Sequence, residues 1–259
     1  MGMVFLYAPL LILVIFSFNE SRLVTVWSGF SFKWYRELFL DTQILNAAWR
    51  SLIIAFSSAS AALVLGTLAA YSLIKFPIFR GRRLFELSIT APLVVPDIIL
   101  GISFLLTFVA MGNLLGFPAT RGLMTIFIAH TTLTMAYVTI IVATRLREMD
   151  GSLEEAAMDL GAHPFMVFFL VILPSIAPAL VAGWLLAFTL SLDDLVIASF
   201  VSGPASTTLP IQVFSSVRLG ITPKINALAA ILIGLVFTVS VLVWWAAIRY
   251  EKKQRVVFK

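Results

Sequence analysis

Residues Arg145 to Pro174 read RLREMDGSLEEAAMDLGAHPFMVFFLVILP. The stretch interrupts an otherwise apolar chain, and its first fifteen positions gather five acids, Glu148, Asp150, Glu154, Glu155 and Asp159. Ser152 stands where a helix N-cap belongs, with Glu154 and Glu155 near the positive end of the helix it would start. Gly161 is a natural stop for that helix, and Pro164 and Pro174 punctuate the residues beyond it. The pattern predicts a short acidic helix whose small residues, Ala156 and Ala157, let another surface approach closely. On pattern alone, a solvated loop helix and a helix that docks on a basic or grooved partner are equally good readings.

Outward from this stretch the chain is too apolar for water. Of its 259 residues, 61% are hydrophobic and 12% charged, against about 25% charged in an ordinary soluble domain. That balance excludes a soluble enzyme, a nucleic-acid-binding module and a disordered chain, and makes a bilayer the natural solvent. The absence of cysteine removes disulfides, thiolate catalysis and cysteine metal sites. The two histidines, His130 and His163, lie too far apart in sequence for a metal cluster to be expected. The net charge of +5 fits cytoplasmic loops of a membrane protein better than nucleic acid.

Crossing about 30 Å of hydrocarbon takes roughly 20 apolar residues in a helix. Six stretches are candidates: Val4–Phe16, Ala47–Ile74, Leu84–Met111, Gly122–Thr144, Ala177–Ser202 and Ala227–Ile248. The expected fold is therefore an all-α membrane protein with six transmembrane helices. It would be a single domain over residues 1–259, with a cytoplasmic loop near 145–176 and a tail at 249–259. Lysines and arginines number eleven in the loops after the second and fourth spans and in the tail, against seven elsewhere. That excess places those loops and both termini in the cytoplasm. The first span is short, lacks a preceding basic residue and has no small-residue cleavage site after it, so a longer natural N-terminus is expected rather than a cleaved signal. Trp27, Trp34 and Tyr35 suit an interfacial aromatic belt, while Gly66, Pro92, Pro96, Gly101 and Gly183 suit close packing and kinks. No internal repeat is visible.

Three carboxylates, Asp97, Asp193 and Asp194, fall inside these spans. Each costs on the order of 2.5–3.5 kcal/mol near the bilayer centre. At about 1.5 Å per residue, Asp97 lies about 20 Å into the third span and Asp193 about 24 Å into the fifth, nearly the same level. Pro92 and Pro96 predict a kink or local unwinding before Asp97. No lysine or arginine shares that depth, so the simplest counter-charge is a cationic substrate. The structural alternative is hydrogen bonding of the acids to backbone or to the hydroxyls of Ser191 or Thr189, or pairing with another chain. On a straight helix Asp193 and Asp194 point about 100° apart, and Ser191 shares a face with Asp194 at i,i+3. Only one of the two acids would then face a central cavity squarely.

The loop also carries a recognisable signature. Glu155-Ala156-Ala157, Gly161 after three residues, and Val171-Ile172-Leu173-Pro174 after nine more resemble the E-A-A-x3-G-x9-I-x-L-P motif of bacterial ABC importer permeases, with Val171 in place of isoleucine. The runs WYREL (Trp34–Leu38), APLVVPDII (Ala91–Ile99), GWLLAFTLSLDDLVIASFVSGP (Gly183–Pro204) and NALA (Asn226–Ala229) are similar to the second permease of spermidine/putrescine importers. The resemblance implies a type I (MetI-like) permease fold and a coupling helix inserted into a groove on a separate ATPase. Glu155 would be the anchoring charge, Ala156 and Ala157 the contact, and Gly161 the bend. It further implies Asp97, Ser191, Asp193 and Asp194 as polyamine pathway positions and Trp34 as an outer-gate aromatic.

The implied partners are a homologous permease forming a heterodimer, an ATP-binding subunit dimer and a periplasmic polyamine-binding protein, all at the inner membrane among lipid. The chain lacks a G-x4-G-K-[ST] run. It is therefore expected to be no enzyme and to carry no cofactor, with ATP and Mg on the partner. Polyamines also fit the chemistry: ammonium groups need spaced carboxylates, and the groups between them need aromatic faces. The competing readings are a permease for another cation such as iron, an ion-coupled carrier, which leaves the loop signature unexplained, and an intramembrane aspartyl protease. The last needs G-x-G-D and Y-D, where this chain has Pro96-Asp97 and Leu192-Asp193.

Overall fold

The computed structural model describes residues 2–23, 26–76, 78–220, 222–238 and 241. Among them, helix is the regular element throughout, with one antiparallel bridge between Asn19 and Phe30. By internal contacts the chain forms two compact units, residues 47–211 and residues 1–46 with 212–259.

The larger unit is built around α6 (Leu123–Glu148), the most enclosed of the long helices. Its neighbour α3 (Thr42–Lys75) turns a stripe of small residues inward: Ala55, Ala59, Ala62 and Ala70 are fully buried. In a bilayer, helices attract one another through close packing rather than through escape from water, so small residues mark the contact. Gly66 continues the stripe, and a Cβ there would sit 2.8 Å from Val138 Cγ1 and 3.1 Å from the Met135 carbonyl of α6. Val138 also lies in contact range of Gly183 on α10 (Ala177–Asp193). Three helices thus meet at one valine.

Two other helices are interrupted. Pro96 lacks an N–H and disfavours helical geometry in the residue before it. Val95 is accordingly extended (φ −77°, ψ 131°), so α4 (Arg82–Val94) stops and α5 (Asp97–Leu115) starts afresh. After α10 the chain is extended at Asp194 (φ −66°, ψ 122°), and α11 (Val196–Val201) comes next. Gly101 of α5 lets the Phe200 ring of α11 lie 2.4 Å from where a Cβ would be, so α5 and α11 cross closely.

These interruptions overturn the six transmembrane helices expected from hydropathy. Among the described residues three helices are long and apolar enough to cross a bilayer: α3, α5 and α6. A fourth counts only if the bent pair Pro164–Ser175 and Ala177–Asp193, angled by 71°, is one span. The third predicted span loses its first half at Pro96, and the fifth is cut at Asp194. Among the described residues the outermost two are represented by shorter apolar helices at Tyr7–Phe16 and Pro223–Thr238. The tail at 249–259 and the end of the sixth predicted span lie outside the described residues.

The smaller unit contains α1 (Gly2–Phe16) and α2 (Lys33–Leu40). Asn19 organises the turn between them. Its buried side chain donates to Val26 O (2.7 Å) and accepts from Ser28 N–H (3.0 Å). Asp41 caps α3 by accepting from the N–H groups of Gln43 (3.1 Å) and Ile44 (3.2 Å), and pairs with Lys224 at 2.8 Å. Burial pushes this carboxyl up, but the Lys224 ammonium and the two backbone donors outweigh it and hold it below its ordinary value. A depressed folded-state pKa gives stability that is present above the unfolded value and lost as pH falls through the folded one. Asp41→Asn is expected to cost about 1 kcal/mol at neutral pH. Thermal unfolding of the purified protein across pH should show that difference closing below the ordinary carboxylate value of 3.8.

Candidate functional site

The acids singled out by sequence all lie at the helix breaks. Asp97 is the first residue of α5, exposed, where its charge complements the positive end of the helix. Asp193 is the last residue of α10 and is also exposed, with no ion-pair partner among the described residues. Asp194 is different. Its carboxylate accepts from Ala198 N–H (2.7 Å) and Ile197 N–H (3.3 Å) and lies 3.1 Å from His130 Nε2. Ser191 is buried, with its hydroxyl 2.7 Å from His130 Nδ1 and 2.9 Å from Ser58 Oγ. Ser191 and Asp194, expected to share a face, thus meet on one imidazole.

Hydropathy alone passes over His130. The sequence carries a signal all the same, because an ionisable residue inside an apolar span is itself a reason to look for function. It is 1% exposed in α6. The far end of α11 is tied down as well. Thr125 Oγ1 donates to Val201 O (2.7 Å), Arg121 donates to Phe200 O (3.1 Å), and Gly203 passes so close to the Arg121 carbonyl that no side chain fits.

Trp34, expected at an outer gate, is 3% exposed. Its indole N–H donates to Asn19 O (2.7 Å), and Lys33 Nζ lies over its ring at 5.2 Å. An apolar recess of about 520 Å³ between Trp49, Phe56, Trp184 and Phe188 contains no carboxylate.

The loop signature forms α7 (Ser152–Asp159). Ser152 does not cap it. Asp150, just before the helix, accepts from Ser152 N–H at 3.0 Å, a contact that holds its exposed carboxyl below the usual value. The N-cap is Gly151, whose carbonyl accepts from the N–H groups of Glu154 (3.1 Å) and Glu155 (3.2 Å), so Ser152 is drawn into the first turn. Glu154 turns inward to pair with Lys75 at the end of α3, whereas Glu155 and Ala156 are exposed. Ala157 and Ala162 pack on the core beneath. Gly161 takes φ +86°, its N–H bonds Met158 O, and Ala162 N–H bonds Ala157 O. This pair of bonds is a Schellman stop, which requires a left-handed residue. Beyond it α8 (Pro164–Val167), a π-helical turn (Phe168–Ile172) and α9 (Leu173–Ser175) lead to the bend before α10. Among the described residues no group of three His, Asp or Glu could hold a metal.

This arrangement of broken membrane helices and a displayed acidic helix is that of a transport subunit. Residues 62–255 match the family described as binding-protein-dependent transport system inner membrane component. The putrescine transport system permease protein PotI of Escherichia coli is 57% identical over 98% of this chain and 90% of its own length. The spermidine/putrescine transport system permease protein PotC of Haemophilus influenzae is 41% identical over 92% of this chain and 90% of its own. A bacterial ABC transporter that imports the acidic polysaccharide alginate has the same fold, with a TM-score of 0.74 at 18% identity over 94% of this chain and 91% of its own. The MetNI methionine ABC transporter matches with a TM-score of 0.61 at 19% identity, over 80% of this chain and 93% of its own. The chain belongs to the family of binding-protein-dependent inner-membrane transport components and is a multi-pass permease of the ABC importer type.

Gly161→Ala should cost about 1–2 kcal/mol, because a Cβ is strained in a left-handed residue. Amide exchange across α7 should speed up in that variant and stay unchanged in Gly151→Ala, whose φ is −63° and whose surroundings are open.

Proposed function

We propose that the chain is a permease subunit of an ATP-driven importer of polyamines, putrescine and/or spermidine, and forms the translocation pathway with a homologous permease. The observation that carries this reading is the pair of exposed acids, Asp97 and Asp193, at two helix breaks in a chain whose full-length relatives are named for putrescine and spermidine. Asp97 and Asp193 face the pathway, and Asp194 and Ser191 lie beside it at the break after α10. A polyamine offers ammonium groups that carboxylates can desolvate, and a passage must hold them weakly enough to let go. Trp34 serves the outer segment as the anchor of its turn.

Glu155 and Ala156 form the face that couples to the ATPase dimer, which holds ATP and Mg, while Ala157 seats α7 on the core and Gly161 ends it. Exposed Glu155 and Ala156 and the rigid Schellman stop support this role. A soluble polyamine-binding protein delivers cargo from the periplasmic side. The excess of lysine and arginine in the loops after the second and fourth expected spans and in the tail, eleven against seven elsewhere, supports a cytoplasmic side for those loops and both termini.

The test is uptake of labelled putrescine by cells stripped of their own importers and expressing this chain with its partner subunits. Wild type should accumulate putrescine in an energy-dependent way, and Asp97→Asn should lower the rate about ten-fold at equal membrane level. Assembled complex that takes up no polyamine sinks the reading and points to another cation. In the same cells Glu155→Ala should release the ATPase or uncouple its hydrolysis from transport. A fully coupled Glu155→Ala complex would refute the docking role.

A further inference from the structure

Asp193 and Asp194 are adjacent, and the structure treats them oppositely. The Asp194 carboxylate is engaged on three sides, by Ile197 N–H, Ala198 N–H and His130 Nε2. The two N–H groups are the orphan donors of α11, a helix that starts afresh where the bilayer offers no water to satisfy them. A carboxylate only accepts, so Nε2–H donates to Asp194. Nδ1 lies 2.7 Å from the Ser191 hydroxyl, which lies 2.9 Å from Ser58 Oγ. The four side chains Ser58, Ser191, His130 and Asp194 form one connected chain of hydrogen bonds joining α3, α6 and α10 to the start of α11. Asp193, one residue earlier, belongs to none of it and is exposed.

We infer that the two acids divide the work: Asp194 closes the break between α10 and α11, His130 is the positioning residue that holds it there, and Asp193 alone offers its charge to the cargo. The cargo half of this inference rests on the polyamine reading above; the His130 latch does not. If Asp194 turned to meet a passing ammonium, the amides of Ile197 and Ala198 and the imidazole would lose their acceptor together. Such a step would open the break. Asp193 can meet and release a cation without disturbing any of these bonds.

The chain contains no cysteine, so a single introduced thiol reports cleanly. In the assembled importer, Asp193→Cys should react with 2-(trimethylammonium)ethyl methanethiosulfonate at least about ten-fold faster than Asp194→Cys. Equal rates would overturn the inference. In transport assays Asp193→Asn should lower the putrescine carried per ATP hydrolysed by about ten-fold. His130→Leu should lower the thermal midpoint of the complex and reduce transport and ATP hydrolysis together, leaving their ratio unchanged. His130→Gln keeps an N–H directed at Asp194 and should recover transport to within about two-fold of wild type. A His130→Leu complex with normal midpoint and transport, or a loss of transport per ATP confined to Asp194→Asn, would refute the division. A wild-type importer that carries no putrescine would remove the cargo assignment, while the labelling contrast and the thermal midpoints would still decide the latch.

Discussion

A helix that breaks inside a membrane must satisfy its freed backbone groups from within the protein, and the rest of this structure depends on how that is done after α10. Asp194 supplies the acceptor, His130 fixes Asp194, and Ser191 with Ser58 fixes His130. Each link brings in another helix, so the break acts as a junction rather than a defect. The six residues of α11 are then held at both ends, by Asp194 at the start and by Thr125 and Arg121 at the finish. The Phe200 ring near its finish packs against Gly101 of α5. The other break, at Val95–Pro96, needs less support, because proline has no donor to lose.

Around the junction the packing is of a second kind. Gly66, Gly183 and the alanines of α3 let the helices approach to backbone contact about Val138. Such contacts tolerate little change of volume, since cores are packed to crystal-like density. The molecule therefore combines a stiff three-helix centre with two interrupted helices at which charge is kept. Asp97 and Asp194 stand at helix N-termini, where backbone N–H groups stabilise a carboxylate and lessen the cost of carrying it in a membrane.

Much of this is readable in the sequence. The loop signature, the proline before Asp97, the shared face of Ser191 and Asp194 and the small residues of α3 all stem from local rules of spacing and backbone geometry. The failures share a cause. Hydropathy counts residues along the chain and is blind to a break that leaves composition unchanged, so Leu84–Met111 and Ala177–Ser202 read as single spans although Pro96 and Asp194 divide them. Ser152 satisfies the capping rule, but the helix starts one residue earlier, with Gly151 at the cap and Asp150 accepting from the Ser152 N–H. His130 stands out as an ionisable residue in an apolar span, but its role stays hidden because its partners Ser191 and Asp194 lie more than sixty residues away.

The 71° bend at Ile176 has a geometrical consequence for any force arriving at α7. Only about one-third of a displacement along Pro164–Ser175 projects on the axis of α10, and nearly all of it acts across that axis. A push therefore swings α10 sideways more than it slides it. The stop at Gly161 and the Lys75–Glu154 pair hold the near arm of this elbow against the end of α3. Motion delivered there reaches the Asp193–Asp194 junction as a lateral sweep, the direction in which two neighbouring helices part.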